Sequence, residues 1–115
     1  MWDSIGSQFD RGIHPTDIDG LAEVNGNFLI LEQKGRKDLW DGSKGQGKGL
    51  VELSCYPRIT LVVFVPHYGA GGEIPQDIHY RQYVAGVGTA WQSVKFNTFL
   101  SRIREWFLLA DKSRA

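Results

Sequence analysis

The dipeptide Asn25-Gly26 constrains this chain more than any other feature. Both central residues of a type I′ turn need positive φ, and Asn-Gly tolerates this best, so a two-residue hairpin is expected there. With Val24 and Asn27 flanking the turn, the register follows by counting outward. Glu23 faces Phe28, Leu21 faces Ile30, Asp19 faces Glu32 and Asp17 faces Lys34. Side chains alternate along a strand, so Asp19, Glu32 and Lys34 are expected on one side of the sheet.

Two carboxylates opposed on neighbouring strands repel, which is unfavourable in a purely structural hairpin. A divalent cation between them reverses the sign. Magnesium takes hard oxygen ligands, commonly one or two carboxylates with waters in the other positions. Lys34, two residues beyond Glu32, would lie beside such an ion and can orient or deprotonate a water. The hairpin reads as a metal-dependent hydrolytic site.

Asp19, a short hairpin and then Glu32-Gln33-Lys34 resemble the PD-(D/E)xK nuclease superfamily, whose signature is an acid, a variable gap and an acid-x-lysine triplet on the next strand. Its small phage-type, Holliday-junction-resolvase-like and VRR-NUC-like branches are the most similar in size. The apolar run Phe28-Leu29-Ile30-Leu31 leads straight into Glu32. Gln46 opens the next predicted helix, where several branches carry a glutamine, and residues 59–65 supply the following core strand. The resemblance spans roughly residues 14–66. Two departures accompany it. Pro15 is followed by Thr16 and only then by Asp17, so Asp17 and Asp19 compete as the first acid, with strand pairing favouring Asp19. The N-terminal segment has no glutamate of the kind many members carry on a helix, and Asp10 is the nearest substitute.

The resemblance implies a single α/β nuclease domain over residues 1–115, with a restriction-endonuclease-like core: a central mixed β-sheet and flanking α-helices. It implies hydrolysis of phosphodiester bonds in DNA with Mg2+ or Mn2+, more as an endonuclease than an exonuclease. Asp19 and Glu32 would hold the metal together with the backbone carbonyl of Gln33. Lys34 would position the attacking water or steady charge on phosphorus, and Gln46 would orient Lys34 or a phosphate. Arg36, Lys37, Lys44 and Lys48 are assigned to the DNA backbone. So small a domain has little surface for gripping a duplex, so a homodimer is expected. Its anchors would be Phe99, Ile103, Trp106 and Phe107 on the C-terminal helix. A non-catalytic nucleic-acid-binding accessory protein of the same fold, and a structural protein whose hairpin charges merely face solvent, are the alternatives.

Composition sets bounds on these readings. The chain of 115 residues suits one domain. No window approaches a membrane span and no basic-then-apolar leader opens the chain, so a cytoplasmic protein is expected. Its one cysteine, Cys55, lies among Leu50, Val51 and Leu53 and reads as a buried thiol. Net charge is zero, yet residues 1–32 hold six acids and one base while residues 33–115 hold twelve bases and seven acids. A metal centre needs local negative charge, and phosphate contacts need positive charge around it.

Along the chain, residues 3–11 suggest a short helix, and residues 35–43 a loop. A helix is expected from Ser43, as N-cap, to Cys55; glycines 45, 47 and 49 weaken it or serve close approach of a phosphate backbone. Residues 67–76 read as a glycine-rich loop and 78–87 as an edge strand. From about Ser93 the spacing of Phe96, Phe99, Leu100, Ile103, Trp106, Phe107 and Leu108 is helical. The run 42–49 nearly matches a phosphate-binding P-loop, but Gly49 stands where a hydroxyl residue is required and no buried strand precedes it. His14, His67 and His79 lack zinc-ligand spacing; His14 lies close enough before the hairpin to reach its site. Trp40 is the tryptophan best placed in a loop to touch substrate.

Overall fold

The computed structural model describes residues 18–113. The proposed helix over residues 3–11, together with Asp10, His14 and Asp17, lies outside the described residues. Among the described residues six strands form one mixed sheet: β1 (Gly20–Val24), β2 (Asn27–Gln33), β3 (Ile59–Tyr68), β4 (Pro75–Val84), β5 (Val87–Gly88) and β6 (Gln92–Lys95). Two helices, α1 (Gly45–Leu53) and α2 (Phe96–Lys112), and a 3-10 turn at Lys37–Leu39 complete it. The strand order is β1-β2-β3-β4-β5, with β6 also bonded to β4. The chain is a mixed α/β fold.

The hairpin forms in the expected register. Val24 pairs with Asn27, Glu23 with Phe28 and Leu21 with Ile30, and Asn25 and Gly26 adopt φ of 53° and 79°. The turn has a second task. The Asn25 side-chain amide donates to the Asp111 carbonyl at 2.9 Å, and that of Asn27 donates to the Ser113 carbonyl at 3.0 Å. Carbonyls at a helix C-terminus have no partner within the helix, so the hairpin caps α2 across the fold.

β2 and β3 run parallel, with Ile30 beside Leu61 and Glu32 beside Val63. Parallel neighbours need a crossover, and the 3-10 turn and α1 supply it. Alternation then divides the core in two. Ile30, Leu61, Val63 and Tyr83 meet Trp40 and Leu50 on one face, while Leu29, Val62, Ile78 and Tyr80 meet Phe99, Ile103 and Trp106 on the other. Leu50, Leu61 and Val63 are wholly buried, and each such side chain contributes about 1.5–3 kcal/mol.

Several expectations change. The edge strand 78–87 is the interior strand β4, which starts at Pro75 and ends at Val84. β3 reaches Tyr68, so the loop before β4 shrinks to residues 69–74. A tight turn at Ala85-Gly86, with φ of 54° and 77°, sends the chain back as β5. Ala carries no turn signal, so that hairpin was not legible. β6 occupies the start of the expected C-terminal helix, because pairing with β4 outweighs the helical spacing.

The N-cap of α1 is Lys44, not Ser43, and the helix ends at Leu53 rather than Cys55. The backbone N–H and hydroxyl of Ser43 both donate to Asp41 Oδ1, a local turn that competes with capping and holds the Asp41 carboxyl below its usual range. Cys55 is exposed rather than buried. Trp40 is in the core, not at a substrate surface: it is 9 % exposed and its Nε1–H donates to the Tyr83 hydroxyl at 2.9 Å. Tyr83→Phe would leave that indole N–H buried without an acceptor. We expect urea unfolding to show a loss of about 1–2 kcal/mol with an unchanged m-value. No loss would mean that the bond contributes nothing.

Candidate metal and nucleic-acid site

The site begins where the hairpin ladder ends. The last antiparallel pair is Gly20 with Leu31, so Asp19 lies just beyond it, where the same register sets it level with Glu32. Its Oδ2 accepts the Gln33 backbone N–H at 2.8 Å, which ties the carboxylate to the end of β2. Glu32 shares the face of Ile30 and is 4 % exposed. Lys34 emerges on the same face, its Nζ 3.4 Å from Glu32 Oε1. The three groups predicted to converge do converge.

Glu32 is under electrostatic tension. Burial raises its pKa first, and the neighbouring Asp19 raises it further through its charge and through a hydrogen bond between the two carboxyls; Lys34 pulls it back through charge and hydrogen bonding. Its second oxygen, Oε2, is buried and accepts no hydrogen bond. A buried carboxylate oxygen without a donor is costly, and native proteins normally satisfy such atoms. A cation coordinated there would supply the missing partner and neutralise the repulsion from Asp19. Among the described residues no three His, Cys, Asp or Glu side chains gather at one point. Two carboxylates form a hard oxygen set, which fits magnesium or manganese better than zinc.

The remaining candidates lie on the crossover between β2 and β3. Gln46 lies in the first turn of α1 and is exposed. Arg36, Lys37, Lys44 and Lys48 are exposed as well; Arg36 pairs with Asp38 at 3.1 Å and Lys48 with Glu52 at 3.9 Å. Gly47 does not serve a phosphate backbone. A Cβ there would lie 1.9 Å from the Asp41 carbonyl oxygen, so the glycine lets α1 rest on its own preceding loop.

Sequence reasoning set His67 and His79 aside as lacking zinc-ligand spacing and passed over Arg81. On β3 and β4 the face shared with Glu32 also carries His67, His79 and Arg81. Val63 pairs with Arg81, Val65 with His79 and His67 with Asp77. The His67 and His79 rings lie 4.2 Å apart between centroids. Burial lowers the His79 pKa, with the His67 and Lys37 charges adding to the effect and Asp77 opposing it. The Arg81 guanidinium lies 4.8 Å from the Tyr83 ring and 5.8 Å from that of Trp91. The buried alternation of Ile78 and Tyr80 was the available signal, since it puts residues 79 and 81 on the opposite face.

No protein-family profile, no curated protein and no solved structure matches this chain. No helix among the described residues is long and apolar enough to cross a membrane.

Proposed function

We propose that the chain is a metal-dependent nuclease that hydrolyses phosphodiester bonds in DNA, built on a restriction-endonuclease-like core of the PD-(D/E)xK type. The observation that carries this reading is the buried, unpartnered Oε2 of Glu32 with Asp19 and Lys34 beside it. The succession of hairpin, helix and parallel strand supports the core assignment. Glu32 and Asp19 would hold Mg2+ or Mn2+, joined by the Gln33 carbonyl. When bound, such an ion lowers the pKa of a coordinated water and polarises a phosphoryl oxygen.

The chain's own groups do the rest. Glu32, packed over the sheet, excludes bulk water from one side of the centre. The hydrogen bond from the Gln33 N–H holds Asp19 at the edge of the hairpin. Lys34 Nζ, about one hydrogen-bond length from Glu32, can hand a donor to the attacking water or to a non-bridging phosphate oxygen. Gln46, Arg36, Lys37, Lys44 and Lys48 would meet the substrate around this centre.

A homodimer remains part of the proposal, with altered anchors. Phe99 is buried, and Ile103 and Trp106 pack on the chain's own sheet, so none of the three is free to anchor a partner. Phe107, with Leu100, Leu108 and Leu109, stays exposed on α2 and is the surface a second copy would cover. Light scattering giving a monomer mass at micromolar concentration would remove the dimer.

The decisive test uses labelled single-stranded, duplex, flap and four-way-junction DNA with magnesium or manganese. Wild type should cut at least one of these, and Glu32→Ala and Lys34→Ala should lose about 10^3-fold or more in rate. The melting temperature should rise with manganese in wild type but not in Glu32→Ala. Binding without cutting would instead favour a non-catalytic accessory protein.

A further inference from the structure

Arg81 is the cation on this face with the most restricted geometry and the least explained surroundings. Its guanidinium is held by Tyr83 and Trp91, at 4.8 Å and 5.8 Å from their ring centroids. Tyr83 is in turn fixed by its hydrogen bond from Trp40. Gly88 on β5 completes the seat. A Cβ there would approach one terminal guanidinium nitrogen to 2.6 Å and the Tyr83 ring to 2.7 Å, so only glycine leaves room for the stack. Arg81 Nε is buried and has no hydrogen-bond acceptor. Among the described residues no carboxylate lies within ion-pair distance of Arg81.

This is an unusual state for an arginine. A guanidinium is a planar fork of five donors, suited to carboxylate or phosphate oxygens, and a half-buried one is normally paired. Here two aromatic rings lie against the group at 4.8 Å and 5.8 Å, and its buried Nε has no acceptor. The position is equally specific. Glu32 pairs with Val63, and Val63 pairs with Arg81, so the two groups stand on one row of one sheet face. Two inter-strand steps separate their backbones, roughly 10 Å. Glu32 pairs with Lys34 through one oxygen only and leaves Oε2 without a donor, while Arg81 leaves Nε without an acceptor.

We propose that Arg81 is a phosphate-binding residue of the same site, gripping the nucleic-acid backbone at a phosphate next to the one cleaved. This rests on the nuclease reading for the identity of the reacting phosphate, but it concerns a separate contact. The bound strand then crosses the sheet from β2 toward β4, perpendicular to the strands. The aromatic pair keeps the guanidinium in place before the substrate arrives, so little side-chain freedom is lost on binding. Lysine cannot reproduce this, because a point charge on a flexible stem neither stacks on an aromatic ring nor presents a fork.

The test measures DNA affinity against salt concentration in metal-free buffer, where no cleavage consumes the labelled probe. Arg81→Met keeps the length and packing of the stem and removes the charge. It should weaken binding about tenfold and flatten the slope of log K against log salt by about one phosphate contact. Arg81→Lys should keep the slope and lose part of the affinity. Melting curves of both variants report any structural damage separately.

An unchanged slope in Arg81→Met, or a wild type that binds no DNA, overturns the assignment. Should Arg81→Met fail to fold, an Arg81→Lys protein that binds like wild type overturns it as well. The two readings fail in different ways. A wild type that cuts DNA while the Met variant keeps its salt slope refutes only the role of Arg81. A wild type that binds with an Arg81-dependent slope but never cuts refutes only the nuclease.

Discussion

Glu32→Gln is expected to give a more stable and inactive protein. In metal-free buffer near pH 7.5 its melting temperature should exceed that of wild type. Its response to magnesium or manganese should vanish, and DNA cleavage with it. Burial and the Asp19 charge raise the Glu32 pKa above its usual value, so the folded state binds this proton more tightly than the unfolded chain does. For a carboxyl shifted in that direction stability falls as pH rises, from the ordinary carboxylate range up through the folded value. Above that window the folded protein carries the full penalty of a buried charge whose Oε2 has no donor.

Glutamine keeps the shape and removes the charge. Loss of the 3.4 Å contact with Lys34 opposes the gain, but Lys34 keeps partial access to water. A net gain of about 1 kcal/mol, worth roughly 4–8 °C in a domain of this size, is expected above the window. The gain should shrink toward pH 4, where the unfolded glutamate also takes up its proton. Thermal melts of both proteins from pH 4 to pH 8 check this. A difference independent of pH would mean that the Glu32 charge is not the source of the cost.

The largest loss of stability is expected at Gly47, and the opposite sign two residues later. Gly47→Ala places a Cβ 1.9 Å from the Asp41 carbonyl oxygen and 2.8 Å from its carbon. Backbone cannot rotate aside as a flexible side chain can, so α1 must lift from the loop beneath it. That helix carries Leu50 into the core, 0 % exposed against Leu61, Val63 and Tyr83. The expected cost is about 3 kcal/mol. Gly49→Ala meets nothing within 4 Å and replaces a glycine inside a helix, so it should add about 0.5–1 kcal/mol. Urea titrations of the pair decide the matter. If both substitutions stabilise, the close contact between α1 and residue 41 does not exist in solution.

Gly47 and Gly49 also show the limit of local reading. Both break the helical pattern equally in the sequence, and nothing nearby marks one as essential and the other as expendable. The hairpin was different. Asn25-Gly26 selects one turn type, the turn selects one register, and the register brings Glu32 next to Asp19 and Lys34. Each step is local, so residues 19–34 were legible without any knowledge of the rest of the fold. The face of α2 was half legible. Its spacing announced a helix, but Phe99, Ile103 and Trp106 are turned inward by the sheet they cover, leaving the apolar surface at Phe107 and its neighbours.

By itself the sequence determined the hairpin, the convergence of two carboxylates and a lysine, the crossover into an apolar strand and the presence of a C-terminal helix. Tertiary structure alone decided that Trp40 is core, that β4 lies inside the sheet, and that Arg81 stands on the row of Glu32 beside Tyr83 and Trp91. The reason is range. Turn chemistry and alternation act between residues a few positions apart, whereas Trp40 with Tyr83, and Glu32 with Arg81, are joined only once distant strands have paired.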